Sequence, residues 1–263
     1  MNRYQRLLFL VLPVLAPCLS TCGGGDPEVQ AAIANCEADQ STDANTVSGR
    51  RYEGAGVIST GDFARIDMTV GESPEATPGD LDDREGAPVG VEVVFFGRTI
   101  VLAGETSAGS GGTLYYEAEA DDECVGHVFF SGQRDDEVIE GHLDVSMDVE
   151  SFSGWFSAAE TEEESAKSYC GSAGKNGYWV VVYTGPRTLF GAYATPDSIT
   201  GNFRGDLFGE TMSLSYLDGA AFGTYNTGEE RMTGTWAGEM GSDGDPFKTG
   251  SFDVTEENCP SEP

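Results

Sequence analysis

Apolar and polar residues alternate along most of this chain in short runs, and turn residues separate the runs. Between residues 178 and 254 the pattern predicts seven β-strands, because alternate side chains of a strand lie on the same face of a sheet. Short connections, such as Asp218-Gly219 and Thr227-Gly228, favour hairpins between neighbouring strands and hence an up-and-down meander. The predicted strands are 178–183, 187–194, 198–205, 211–217, 220–225, 230–237 and 247–254.

The first half of the chain has a similar but less regular pattern. Residues 71–88 are rich in Pro, Gly and acidic residues and are expected to form a long exposed loop. The predicted strands lie near 52–58, 62–70, 90–96, 98–104, 112–118, 124–131, 137–147 and 151–158.

A glycine motif recurs within these strands: an apolar residue, any residue, glycine, any residue, then a large apolar residue. The apolar residues and the glycine fall on one face, which we expect to point inward. A bare glycine there lets a neighbouring aromatic ring cover the backbone and lets the sheet coil tightly, as a small barrel requires. A flat open sheet with scattered glycines is the alternative. The motif occurs at Ile139-Gly141-Leu143, Phe152-Gly154-Phe156, Leu189-Gly191-Tyr193, Ile199-Gly201-Phe203, Ala221-Gly223-Tyr225 and Met232-Gly234-Trp236.

The fold class predicted from these patterns is all-β, with antiparallel meanders forming one or two small barrels or sandwiches. An acidic segment with four glutamates interrupts the pattern after residue 158. We interpret residues 159–169 as a linker between a first β unit (48–158) and a second (170–263). One short helix is expected before the first unit, where Asp26 can act as its N-cap and Pro27 lies in the first turn.

The N-terminus has the features of a secretory signal peptide. Arg3 and Arg6 provide a positive start, and an apolar run from Leu7 to Leu15 follows. That run is well short of the roughly 20 residues that a membrane-spanning helix needs. We therefore expect residues 1–21 to be removed on export.

The four residues Leu19, Ser20, Thr21 and Cys22 follow this leader and resemble the lipobox of bacterial lipoproteins. The resemblance implies cleavage just before Cys22 and acylation of that cysteine, so that residues 22–47 contain a lipidated tether. Cys18 is a second candidate, but Pro17 makes it the poorer one. Since Gly23 and not aspartate follows Cys22, the resemblance also implies anchorage in the outer membrane.

The chain is strongly acidic, with a formal net charge of −31. Such a field repels phosphate backbones, which makes nucleic acid a poor candidate partner. The acidic charge can simply provide solubility. Alternatively, acidic runs of the chain bind a cation such as calcium, although none of them has the spacing of a known calcium loop. These runs are Asp80, Asp82 and Asp83; Asp121, Asp122 and Glu123; and Asp243 and Asp245.

Cleavage before Cys22 leaves four cysteines in the folded part, which can pair completely. Cys36 and Cys124 are 88 residues apart, and Cys170 and Cys259 are 89 apart. Sequential pairing would close two loops of similar length, and we predict it from the three possible connectivities. Disulfides suit export to an oxidising compartment.

The only two histidines, His127 and His142, both fall in predicted strands. A hairpin that turns at residues 134 and 135 would place them opposite each other on the polar face, with Glu140 and Asp144 flanking His142. Such N and O donors could hold zinc if they converge. A cross-strand histidine pair is more often incidental, so this metal site is a weak hypothesis.

Catalytic motifs are hard to find in this sequence. No serine lies in a G-x-S-x-G motif, and carboxylate pairs carry little information in so acidic a chain. We therefore expect a non-enzyme. Of the tryptophans, Trp236 is expected in the core. The alternation would place Trp155 outward, where it could contact a partner or a sugar ring. Packing in the core or between the two units is the favoured alternative, because large apolar side chains are mostly buried.

Two functional classes remain. The first is a lipid-anchored interaction or structural module that binds an envelope protein or polysaccharide. The second is a binder of a small ligand or cation, in a barrel interior or through acidic loops. The barrel interior distinguishes the two classes. An interior that is filled by side chains supports the interaction module, and an interior cavity supports the ligand binder. The side chains concerned are Phe203, Leu214, Tyr225 and Trp236.

Overall fold

The computed structural model describes residues 33, 36, 46–72, 85–110, 113–135, 138–147, 151–161, 166–174, 177–184, 187–195, 200–216, 219–238 and 248–260. The predicted leader, the predicted lipidation site Cys22 and most of the predicted helix lie outside these residues. Of that helix, Ile33 is helical and buried against the first core. The described part contains no helix that is both long and apolar enough to cross a membrane.

The chain forms two closed antiparallel β-barrels of eight strands each, which confirms the predicted all-β meander. In the first barrel each strand pairs with the next, and β1 closes the sheet by pairing with β8. Its strands are β1 (Gly49–Ile58), β2 (Phe63–Gly71), β3 (Pro88–Phe95), β4 (Arg98–Ala108), β5 (Leu114–Asp122), β6 (Gly126–Asp135), β7 (Val138–Ser146) and β8 (Ser151–Glu160).

The second barrel repeats this plan and closes through β9 and β16. The sequence predicted seven of its strands but not β9, which begins at Lys167, inside the segment interpreted as a linker. Its strands are β9 (Lys167–Ser172), β10 (Tyr178–Thr184), β11 (Thr188–Ala194), β12 (Thr200–Phe208), β13 (Thr211–Tyr216), β14 (Gly219–Asn226), β15 (Arg231–Gly238) and β16 (Lys248–Thr255), followed by a 3-10 turn, Glu256–Asn258.

The glycine motif lies on the inner faces of the barrels, as predicted, apart from Ile199, which lies outside the described residues. A Cβ atom on Gly141 would overlap the backbone of Ser131 and Gly132 on the neighbouring strand. In the second barrel the ring of Phe252 covers Gly223 and Gly234. Glycine thus has the two roles expected in a tightly coiled sheet: it lets neighbouring strands approach closely, and it leaves room for an aromatic ring over the backbone.

A third apolar cluster joins the two barrels. Val57 from the first barrel and Val180 and Val182 from the second are fully buried in it. In β10 the alternate residues Trp179 and Val181 point into the barrel core. Both faces of β10 are therefore buried, which explains its continuous apolar sequence.

Both predicted disulfides are present. Cys36 bonds to Cys124, and Cys170 bonds to Cys259. The second bond lies beside the seam that closes the second barrel. There β9 and β16 pair at three positions only, from Asp253 opposite Ser172 to Thr255 opposite Cys170. The disulfide therefore links the first strand of the second barrel to the 3-10 turn after its last strand.

Candidate functional site

The interiors of both barrels are filled by side chains. Phe203, Leu214, Tyr225 and Trp236 are 1%, 2%, 7% and 1% exposed. Trp179 stacks on Phe252 with ring centroids 5.1 Å apart. These packed cores leave the outer surfaces as the place to look for a binding site.

A groove of about 640 Å³ lies on the outside of the first barrel, where it meets the second. Strands β5 to β8 form its floor, and β12 of the second barrel forms one side. We call this cavity the inter-barrel groove. Its lining combines two aromatic rings, two amides and four charged groups with small polar residues: Thr113, Tyr115, Ser131, Gly132, Gln133, Arg134, Asp135, Glu140, Gly141, His142, Trp155, Asn202 and Arg204.

The strand register builds the floor of the groove. One row across the sheet runs from Tyr115 through Gln133 and Glu140 to Ser157. Directly opposite residues of neighbouring strands have Cβ atoms only about 4.5 to 5.5 Å apart. Tyr115, Gln133 and Glu140 therefore form a continuous part of the groove floor, and the fully buried Ser157 continues the row beneath the surface.

A second row lies two residues further along and runs from Ser131 through His142 to Trp155. The rings of His142 and Trp155 are in contact, with centroids 4.1 Å apart. Trp155 is half-buried and also packs against the apolar cluster between the barrels. It therefore takes the outward, inter-unit position that the sequence allowed.

Arg204 of β12 links the second barrel to this floor. Its guanidinium donates to Glu140 at 2.8 Å and pairs with Asp135 at 2.8 Å. It also lies 5.7 Å from the ring centroid of Phe190. Burial by itself lowers the pKa of Arg204, but the hydrogen bond to Glu140 and the charges of Glu140 and Asp135 outweigh it, so the pKa is raised.

Arg134 is held in a similar way, because it donates to Glu160 at 3.0 Å. The charged groups of the groove are thus largely paired with one another or with neighbours.

Asn202 differs from these paired groups. Both polar atoms of its side-chain amide are buried, and neither has a hydrogen-bond partner among the residues that the structure describes. Leaving such a group unsatisfied costs free energy, so an unpartnered buried amide in a groove wall calls for an explanation.

The predicted histidine pairing is wrong. His127 lies opposite Ser146, and His142 lies opposite Ser131, because the register of β6 and β7 pairs Asp135 with Val138. His127 instead contacts Asp121, with Nδ1 3.0 Å from a carboxylate oxygen. His127, His142 and Asp144 are not brought together, and no group of three or more potential metal ligands occurs among the described residues.

One of the predicted acidic cation-binding runs can be followed in the structure. A carboxylate oxygen of Asp122 accepts the backbone N–H groups of Cys124 and Val125, both at 2.8 Å, and the other faces Arg98. Asp122 therefore stabilises a turn. The other two runs, Asp80 to Asp83 and Asp243 with Asp245, lie outside the described residues.

Sequence reasoning did not single out Arg204, Asn202 or Gln133. The alternation in β12 assigns Arg204 and Asn202 to the outer face, opposite to Phe203, but this local pattern does not show that the other barrel lies there. The sequence signal that could have revealed the contact between the barrels is the continuous apolar run from Tyr178 to Val182. Such a run indicates that both faces of the strand are buried.

In comparisons with known proteins, no family model, no curated protein and no solved structure matches this chain.

Proposed function

We propose that this chain is a lipid-anchored protein of the bacterial cell envelope that binds a partner and catalyses no reaction. The observation that carries the proposal is the filled interior of both barrels. A barrel that stores a small ligand needs an internal cavity, whereas a barrel that serves as a scaffold is packed. Phe203 and Trp236, each 1% exposed, occupy the interior of the second barrel.

The first barrel supports the same proposal. Phe130 and Phe156 stack across its interior, with ring centroids 4.1 Å apart. Two rigid barrels joined by a buried apolar cluster provide a scaffold on which outer faces and the inter-barrel groove can be presented.

The proposed location follows from the leader and the cysteines. Cys22 in its lipobox-like context would be acylated and would hold the mature chain at the membrane, with outer-membrane anchorage favoured by Gly23. The two disulfides agree with an oxidising compartment outside the cytosol. The proposed partner is an envelope protein or polysaccharide.

The anchor is tested by intact mass measurement of the full-length gene product from separated envelope fractions. We expect the native protein in the outer-membrane fraction, starting at Cys22 and carrying a lipid mass. The variant Cys22→Ser should lose the lipid and leave the membrane fraction. Unmodified native protein in the soluble fraction would refute this part of the proposal.

The binding role is tested by photo-crosslinking in intact cells. A crosslinker at Gln133, in the groove, is compared with one at Thr224, an exposed position on the outer face of the second barrel. A defined adduct from either position supports a binding scaffold. Absence of any adduct from these and further outer-face positions, or turnover of an envelope component by the purified protein, contradicts it.

A further inference from the structure

We propose that the inter-barrel groove binds an uncharged saccharide. This inference rests on the proposed function, since it gives the binding scaffold a class of ligand and a place to hold it. It is carried by three observations: the neutral charge balance of the groove, its combination of rings and amides, and the unpartnered amide of Asn202.

The charge balance of the groove is unusual for this chain. The protein carries a formal net charge of −31, with 45 acidic residues against 14 basic ones. The charged lining groups nevertheless cancel, because Arg134 and Arg204 are matched by Asp135 and Glu140. Arg204 also forms an ion pair with each of those two carboxylates. A free cation for an anionic ligand is therefore not provided here, and an uncharged ligand meets no net repulsion.

The remaining lining groups suit a polyhydroxylated ring. Tyr115 and Trp155 offer amphipathic ring surface, which can pack against the C–H groups of a sugar. The amides of Gln133 and Asn202 each carry both donors and acceptors, as vicinal hydroxyl groups require. The register places Tyr115 directly beside Gln133, so a ring and an amide are adjacent.

Asn202 supplies the strongest single observation. Its Oδ1 and Nδ2 atoms are buried in the wall between the barrels and have no hydrogen-bond partner among the described residues. Such an amide costs stability in the free protein. Because Asn202 lines the groove, rotation of its side chain would expose the amide there, where one ligand hydroxyl can donate to Oδ1 and a vicinal one can accept from Nδ2. We therefore assign the Asn202 amide the role of a hydrogen-bond partner for the saccharide.

The size and position of the groove agree with this ligand class. Its volume of about 640 Å³ lies within the range of about 300 to 1,000 Å³ that is typical of small-molecule sites, which often occur between domains. It has room for a short oligosaccharide segment and not for a folded partner.

The test uses the mature chain with Cys22→Ser, both disulfides formed, on an array of neutral and acidic glycans, followed by calorimetric titration of the bound ones. We expect at least one neutral glycan to bind. Asn202→Leu, similar in volume, should weaken that binding by about ten-fold or more because the amide contacts are lost. It should leave the melting temperature unchanged or higher, because an unsatisfied buried group has been removed.

Gln133→Ala, at an exposed position, should also weaken binding and leave folding intact. Phe222→Ala is the matched control, since it removes a 63% exposed ring outside the groove and should leave the affinity unchanged. A melting temperature that falls in Asn202→Leu would indicate a structural amide and overturn its assignment to a ligand.

Binding of acidic glycans alone, binding of none, or binding that is unaffected by both groove variants would overturn the saccharide inference. These outcomes are separable from those of the proposed function. A protein that remains lipid-anchored and crosslinks to an envelope protein, but binds no neutral glycan, would retain the proposed function and lose only this ligand.

Discussion

The carboxylate of Glu140 on the first barrel accepts a hydrogen bond of 2.8 Å from the guanidinium of Arg204 on the second. The Glu140 side chain is only 15% exposed, and its other oxygen faces the Ser157 hydroxyl at 3.4 Å. This pair therefore joins the barrels at the edge of the apolar cluster and also forms part of the groove wall.

Replacement of Arg204 is expected to weaken the contact between the barrels. Arg204→Met leaves Glu140 partly buried without its counter-ion, so we expect the free energy of unfolding to fall by about 1 to 2 kcal/mol. Adding Glu140→Gln should recover part of that loss, because the remaining buried charge is then removed. Urea unfolding followed by tryptophan fluorescence measures both effects.

The matched control is Arg231→Met, which breaks an ion pair with Asp253 within the second barrel. Both partners of that pair are well exposed, so the expected loss is smaller than that for Arg204→Met. Equal losses for the two arginine variants would contradict a special role for Arg204.

Gly141 is expected to tolerate no side chain. Because a Cβ atom there would overlap the backbone of Ser131 and Gly132, Gly141→Ala should force β6 and β7 apart and cost about 2 kcal/mol or more. Thermal unfolding by circular dichroism provides the measurement. Gly228→Ala is the control, since its nearest contact would be an ordinary 3.5 Å to Asn226. A loss below about 0.5 kcal/mol at Gly141 would argue against tight strand approach.

The disulfide between Cys170 and Cys259 is expected to hold the seam of the second barrel. Replacing both cysteines by alanine should lower the free energy of unfolding by about 2 to 5 kcal/mol. Hydrogen exchange should then show that β9 and β16 lose protection before the other strands, since their pairing is short. The double alanine variant of Cys36 and Cys124 serves as the comparison, and it should leave protection at this seam unchanged.

Stability is expected to fall at alkaline pH. Burial raises the pKa of Tyr216 to about 12, and burial together with the hydrogen bond to Tyr225 raises the pKa of Tyr169. In the unfolded chain a tyrosine ionises near pH 10. Both groups thus contribute their full stability below about pH 10, and that contribution is lost as the pH rises toward 12.

Melting temperatures measured at increasing pH, together with phenolate absorbance, check this expectation. Phenolate from the buried tyrosines should appear only as the barrel unfolds. Tyr216→Phe should reduce the slope of the alkaline loss, whereas Tyr115→Phe, at a half-exposed position, is the control. Ionisation of all tyrosines without unfolding would contradict the argument.

Much of the fold could be predicted because it depends on local alternation. The glycine motifs around Gly141 and Gly234 marked the inner face correctly, and the short turns indicated a meander. Strand β9 was missed because it is only six residues long and follows directly on an acidic run. Its place in the sheet is fixed by closure with β16, which is a long-range contact.

The histidine register could not be obtained from the face pattern alone. Phe130 pairs with Leu143 in the structure, whereas a hairpin that turns at residues 134 and 135, as predicted, would pair it with Ile139. Both pairings match inward apolar residues. A slip by an even number of positions keeps every side chain on its face, so patterning cannot distinguish the two registers. The groove was missed for a related reason: Asn202 and Glu140 are neighbours only because the two barrels pack together.

Closure of both sheets also restricts how a partner can dock. An open sheet has an edge strand whose free N–H and C=O groups can be extended by a strand from another protein, and many peptide-binding domains work in this way. In these two barrels β1 is joined to β8 and β9 to β16, so each sheet closes on itself, although the β9–β16 seam is paired at three positions. A partner must accordingly be recognised mainly through side chains and loops, and a change of sequence on the outer faces can alter specificity without disturbing the backbone ladder.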